Sequence, residues 1–180
     1  MKRKGRITIK KKRRRESKTD YAARLKLLTS GLPRLVVRKS NLYITAQIVE
    51  SKQAQDSVLC SAHSKELRKF GWQHSAKNLP AAYLTCFLLV KKLEKLGKKE
   101  KLKDVKEIKE AILDTGLYRS TKGSRIYACL KGALDAGLQV AHSADILPTE
   151  QRLKGEHLSK SEAADFEKVK EKIINEFEDK

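Results

Sequence analysis

The segment between Asn78 and Gly97 constrains the fold more than any other. Asn78 suits the N-cap of a helix, and Pro80 falls in the first turn, where its missing N–H costs nothing. The helix over Ala81–Leu96 is apolar on most of its surface. Such a helix must be covered on several sides, so it should lie well buried against a sheet, with Gly97 as its stop. The flanking sequence supplies the sheet. Two β-rich runs, Arg34–Lys39 and Leu42–Val49, flank Ser40-Asn41 and read as a hairpin with a tight polar turn. A third run, Ser57–His63, extends this to a three-stranded antiparallel meander. "EAILDTGL" (Glu110–Leu117) predicts a short strand ending at Gly116, and "LQV" (Leu138–Val140) another.

Helices fill the intervals. Residues from Asp20 or Tyr21 to Leu28 have helical composition, ended by Gly31 and Pro33. Ser120 or Thr121 can cap a helix over Lys122–Ala136, in which Ile126, Leu130, Ala133 and Leu134 form a core-facing stripe and Gly137 is the C′ glycine. Ser159 and Glu162 have capping-box spacing. After them Phe166, Val169, Ile173 and Phe177 line one face of a C-terminal helix. The lysine-rich stretch Lys98–Lys109 reads as a solvated helix or loop. The order predicts an α/β fold in three layers: a mixed β-sheet with helices packed on it.

Charge sets the class of partner. The chain has 180 residues and a formal charge of +19. Its first thirty residues hold thirteen Lys and Arg against two acids, Glu16 and Asp20, and six cations run unbroken from Lys10 to Arg15. Residues 31–150 carry 21 cations and 12 acids; residues 151–180 carry seven and eight. A segment as cationic as residues 1–20 cannot enter a core. It predicts a tail, unfolded in isolation, that orders on a polyanion. Nucleic acid is favoured over a membrane, because the longest apolar run, Leu79–Val90, is too short to span and is interrupted by Pro80 and Thr85. No secretory stretch precedes the basic run, which reads as a cytosolic protein. Cys60, Cys86 and Cys129 are odd in number, far apart and set in apolar runs, so they read as buried reduced thiols.

Three clusters are candidates for nucleic-acid contact. The arm offers Lys11, Lys12, Arg13, Arg14, Arg15 and Lys18, followed by Tyr21, which could stack on a base or pack under the first helix. The hairpin turn offers Arg38, Lys39 and Asn41, a pattern that also fits an ordinary polar turn. "YRSTKGSR" (Tyr118–Arg125) offers Arg119, Thr121, Lys122, Ser124 and Arg125 at a helix start, where phosphate or simple capping would account for it. It is no P-loop, because no Gly immediately precedes Lys122. His63, His74, His142 and His157 have no metal spacing, and neither a metal nor a cofactor is expected. Catalysis is poorly supported: the first strand offers cations where a two-metal nuclease needs acids, and Asp114 and Asp135 are the only acids near element ends in the second half.

Six segments in order carry a family resemblance: "RRRESKTDYAARLKLL", "PRLVVRKSNLYITAQIVE", "SAHSKELRKFGW", "NLPAAYLTCFLL", "TKGSRIYACLKGALDAGL" and "HSADILP". From about Arg13 to His157 the chain closely resembles the archaeal and eukaryotic form of the large-subunit ribosomal protein of the L-eighteen family, with its compact length favouring the archaeal version. The resemblance implies a ribonuclease-H-like motif without catalytic acids. It implies a structural role in the central protuberance of the large subunit, binding 5S rRNA, attaching it to the large-subunit (23S-type) rRNA, and lying beside other large-subunit proteins including the L-five family. It also carries Arg24 over, with the arm, as an rRNA contact. Charge and composition together with the resemblance predict a basic RNA-binding extension (1–20), an α/β 5S rRNA-binding domain (21–150), and a polar connector with a C-terminal helix (151–180). A general basic nucleic-acid binder and an RNase-H-like nuclease are the rival readings.

Overall fold

A computed structural model describes residues 9–52, 55–99 and 108–178. Five strands form one mixed sheet: β1 (Arg34–Lys39), β2 (Ile44–Lys52), β3 (Gln55–His63), β4 (Glu110–Asp114) and β5 (Gln139–Val140), in the order β3-β2-β1-β4-β5. β1 and β2 pair antiparallel from Arg34↔Val49 to Lys39↔Ile44, and β2 pairs antiparallel with β3 across a bulge at Ile48/Val49. β1 runs parallel to β4, with Val36 opposite Asp114, and β4 runs parallel to β5. The predicted hairpin turn forms because Ser40 closes it. Its N–H donates to the Tyr43 carbonyl at 2.8 Å, and its hydroxyl oxygen accepts from the Tyr43 N–H at 2.9 Å.

The helices are α1 (Lys12–Arg15), α2 (Tyr21–Thr29), α3 (Leu79–Lys99), α4 (Arg125–Asp135), α5 (Glu150–Lys154) and α6 (Lys160–Glu178). Asn78 caps α3, its Oδ1 accepting from the Ala81 N–H at 2.9 Å. Every residue from Ala81 to Val90 is buried. One side of α3 meets Ile44, Ala46, Ile48, Cys60 and Ala62 of the sheet; the others meet α4 and the Phe166–Val169–Ile173 stripe of α6. α3 and α4 approach so closely that a Cβ on Gly132 would lie 2.2 Å from the Tyr83 carbonyl oxygen. α6 is fastened at its start by His74, whose Nε2 lies 3.0 Å from Asp165 Oδ2 and Nδ1 3.5 Å from Glu162 Oε1. All three cysteines are buried and free.

Several boundaries differ from expectation. α3 continues through Gly97 to Lys99, because Gly97 sits buried inside the packed helix rather than beyond its end. α4 begins at Arg125, not Lys122, because Gly123 adopts φ +66°, a left-handed conformation that interrupts a helix. β4 ends at Asp114, where the carboxylate accepts from the Gly116 N–H and turns the chain. The basic tail contains one helical turn, α1, closed by Arg15 and Glu16 N–H bonds to the Lys11 and Lys12 carbonyls at 3.0 Å each. A single turn lets all four side chains stay in solvent, so local backbone bonding and charge repulsion do not conflict there. Ser159 does cap α6, accepting from the Glu162 N–H at 3.2 Å, but the Glu162 side chain is drawn to Asn78 and His74 instead of closing the box. The 3₁₀ helix Ser64–Phe70 and α5 are further elements, formed where no apolar periodicity announces a helix. Residues 100–107 of the lysine-rich stretch and residues 1–8 of the extension lie outside the described residues.

Candidate nucleic-acid interface

The arm is built to display charge. Lys11, Lys12, Arg13, Arg14, Arg15 and Lys18 are all exposed. Arg13 Nε donates to Thr19 Oγ1 at 2.8 Å, Lys18 pairs with Glu16 at 2.9 Å, and Ser17 at φ +50° turns the chain toward α2. Asp20 caps α2, accepting from the Ala22 and Ala23 N–H groups at 2.9 and 3.1 Å. The half-buried Tyr21 ring carries the Lys11 ammonium 4.8 Å from its centroid. The arm is thus tied to its own helix start rather than trailing free of it.

α2 buries none of its residues. It lies over the sheet face opposite α3 and leaves a groove of about 820 Å³ between them. The floor of that groove is a chain of ion pairs. Arg24 Nη2 on α2 lies 2.8 Å from Asp56 Oδ2, and Arg34 Nη2 on β1 lies 2.9 Å from the same oxygen. Arg34 Nη1 donates to Asp114 Oδ2 at 3.0 Å, and Arg38 Nη2 to Asp114 Oδ1 at 2.8 Å. Arg38 also donates from Nη1 to the Asp114 and Val37 carbonyls at 2.8 and 2.9 Å. Arg34 is 3% exposed and Asp114 7%. Burial by itself raises the Asp114 pKa, but the Arg38 hydrogen bond and charge, the Gly116 N–H and Arg34 outweigh it and hold the carboxyl below its ordinary value. At Asp56 burial likewise opposes, and Arg24 and Arg34 together win, again lowering the pKa.

Arg34, Asp56 and Asp114 were absent from the expected contacts. A signal for them exists in "RLVVRK": Arg34, Val36 and Arg38 alternate onto one face of a strand now seen to be central, and two cations there require acids beside them. The hairpin end continues the same basic surface. Tyr118 donates its hydroxyl to the Lys39 carbonyl and receives the Lys39 ammonium 4.9 Å from its ring centroid. Asn41 is exposed at the tip beside Leu42. Arg13, Lys18, Arg24, Arg38 and Tyr118 all line the groove, so the fold brings the arm and the hairpin together.

The third cluster divides. Arg119, Thr121 and Lys122 are exposed. Ser124 is the N-cap of α4, yet its hydroxyl is buried and makes no hydrogen bond to a described residue. Arg125 turns away to donate from Nη1 to the Lys77 carbonyl at 3.1 Å, where it lines a different hollow of about 440 Å³ with His157 and Glu162.

The acids that a nuclease would use are otherwise engaged. Asp114 is clamped by two arginines, and Asp135 accepts from the Tyr83 hydroxyl at 2.8 Å and pairs with Lys131 at 2.8 Å. Among the described residues no group of three His, Cys, Asp or Glu could hold a metal ion. No described helix is long and apolar enough to cross a membrane.

Residues 5–143 match a protein family described as ribosomal large subunit proteins 60S L5 and 50S L18. Among similar proteins, the large ribosomal subunit protein uL18 of Korarchaeum cryptofilum is 52% identical over 159 residues, which is 88% of this chain and 76% of that one. The uL18 of Methanococcus maripaludis is 48% identical over 174 residues, 91% and 85% of the two chains. That of Methanothrix thermoacetophila is 43% identical over 167 residues, 91% and 93%.

Proposed function

Because the chain belongs to the family of ribosomal large subunit proteins 60S L5 and 50S L18, a family of structural and non-enzymatic components, we propose that it binds 5S rRNA and helps attach it to the large-subunit rRNA in the central protuberance. Membership makes it a constituent of the large ribosomal subunit in the cytoplasm, with rRNA and neighbouring ribosomal proteins as partners; the L-five family is the neighbour we propose. The observation that carries the RNA reading is the joining of arm and hairpin along one groove, where Arg13, Lys18, Arg24 and Arg38 lie on a single face. Affinity comes from neutralising phosphates, and selectivity from a rigid surface that fits folded RNA.

In this reading Lys11 to Arg15, Lys18 and Tyr21 grip the backbone from the arm, and Lys39 and Asn41 do so from the hairpin. Arg119, Thr121 and Lys122 extend the surface, and Ser124 and Arg125 act from the start of α4. Residues 1–20 are the RNA-binding extension, 21–150 the 5S rRNA-binding domain, and 151–180 the connector and terminal helix. We read the sheet order β3-β2-β1-β4-β5 as a ribonuclease-H-like arrangement without a catalytic acidic centre, since Asp114 at the end of β4 is paired with Arg34 and Arg38. The test is competition at fixed salt. Labelled 5S rRNA should be displaced by unlabelled 5S rRNA far better than by duplex DNA of equal charge; equal displacement would mean a general polyanion binder.

A further inference from the structure

Asp56 holds two guanidinium groups with one oxygen. Arg24 and Arg34 each bring Nη2 to within 2.9 Å of Oδ2. Arg34 is 3% exposed, yet its Nε and Nη2 have no well-aligned hydrogen bond to any described residue. A guanidinium presents its N–H groups as a flat fork suited to two acceptor oxygens. One carboxylate oxygen shared by two forks serves neither well. A phosphodiester offers two non-bridging oxygens, one for each arginine.

Charge and exposure point the same way. Arg24, Arg34 and Arg38 face Asp56 and Asp114, leaving one cation in excess along the groove floor. Of the two acids, the Asp114 side chain is 9% exposed and locked by Arg34, Arg38 and the Gly116 N–H. The Asp56 side chain is 31% exposed, lines the groove, and is the one free to leave.

We propose that Asp56 is an internal stand-in for an RNA phosphate: on binding, a backbone phosphate enters the groove, takes the Arg24–Arg34 pair, and displaces the Asp56 carboxylate into solvent. The exchange keeps Arg34 compensated at every stage, which a buried cation requires. It also makes Arg34, a residue hidden in the free protein, part of the RNA site. The inference rests on the RNA-binding reading and adds to it a specific subsite.

The test compares wild type, Asp56→Asn and a charge control, Glu171→Gln on the exposed face of α6, for binding to 5S rRNA across a salt series. Removing the competing carboxylate should tighten binding by about two- to fivefold at 0.1 M salt, the worth of a partly exposed ion pair that no longer has to be broken, and should leave the slope unchanged, because the same phosphate is neutralised in both proteins. Glu171→Gln should change little. In wild type, the Nε–Hε signals of Arg24 and Arg34 in arginine-labelled protein should shift when 5S rRNA is added, a readout that does not depend on the variant folding. Weaker or unchanged binding by a folded Asp56→Asn, or unmoved arginine signals in bound wild type, would overturn the exchange alone. Failure of wild type to bind 5S rRNA would instead overturn the reading beneath it.

Discussion

Replacing Asp114 by Asn removes one negative charge from between two arginines. The side chain is 9% exposed and that of Arg34 4%, so the pair is effectively buried. Breaking such a pair by deleting one partner costs about 3–5 kcal/mol, because the remaining charge is left uncompensated. Two features pull the estimate to the low end. Arg34 retains Asp56 Oδ2 at 2.9 Å, and the Arg38 side chain is 41% exposed, so solvent screens its share to about 0–1 kcal/mol. The expected loss is about 3 kcal/mol, read by urea unfolding as a midpoint about 1.5 M lower at a slope of about 2 kcal/mol/M. The pH dependence is a second readout. Asp114 has a folded pKa below its ordinary 3.8, so in the window between the two values the unfolded chain binds more protons. Its contribution is therefore fully present above about pH 4 and is lost as pH falls through the folded value. The gap between wild type and Asp114→Asn should be constant from pH 5 to 7 and should close on acidification below pH 4. A loss under about 1 kcal/mol at pH 7, or a gap unchanged at pH 3, would refute the claim that this carboxylate works as a buried charge.

Deleting residues 1–18, which remove eleven cations, should lower 5S rRNA affinity and the salt slope while leaving the unfolding midpoint of the remainder unchanged, as measured by filter binding and thermal melting. Gly132→Ala should destabilise by about 3 kcal/mol, since the new methyl has no room against the Tyr83 carbonyl and the two helices must separate; a cost below about 1 kcal/mol by urea unfolding would mean that the crossing can open to admit a methyl. His74→Ala should cost about 1–2 kcal/mol and speed hydrogen exchange selectively in α6, because both acids it contacts lie on that helix.

Much of the architecture was legible because its causes are local. The β1–β2 hairpin could be read from Ser40-Asn41 between β-rich runs, and α3 from Asn78, Pro80 and an apolar surface too wide for anything but a buried helix. The α6 stripe could be read because helical periodicity puts Phe166, Val169 and Ile173 on one side. Misplaced boundaries came where a local rule met a tertiary exception. Gly97 is a stop signal in isolation, but buried packing carries the helix past it. Ser120 and Thr121 are good caps, but the left-handed Gly123 lies between them and the helix.

The sequence by itself determined the class of partner and the place of the charge. Thirteen cations in thirty residues cannot be buried whatever the fold, and the apolar runs had to become the core. Only the tertiary structure decided which charges are spent internally and which are offered outward. Arg34 and Asp114 are 80 residues apart, and they meet because β4 returns parallel to β1 with Val36 opposite Asp114. Periodicity along the chain carries no information about that register. The alternation in "RLVVRK" can place Arg34 on a strand face, but it cannot say that this face holds two carboxylates for it, whereas Arg14 ends in solvent. The difference arises from pairing and burial, which exist only once the strands lie side by side.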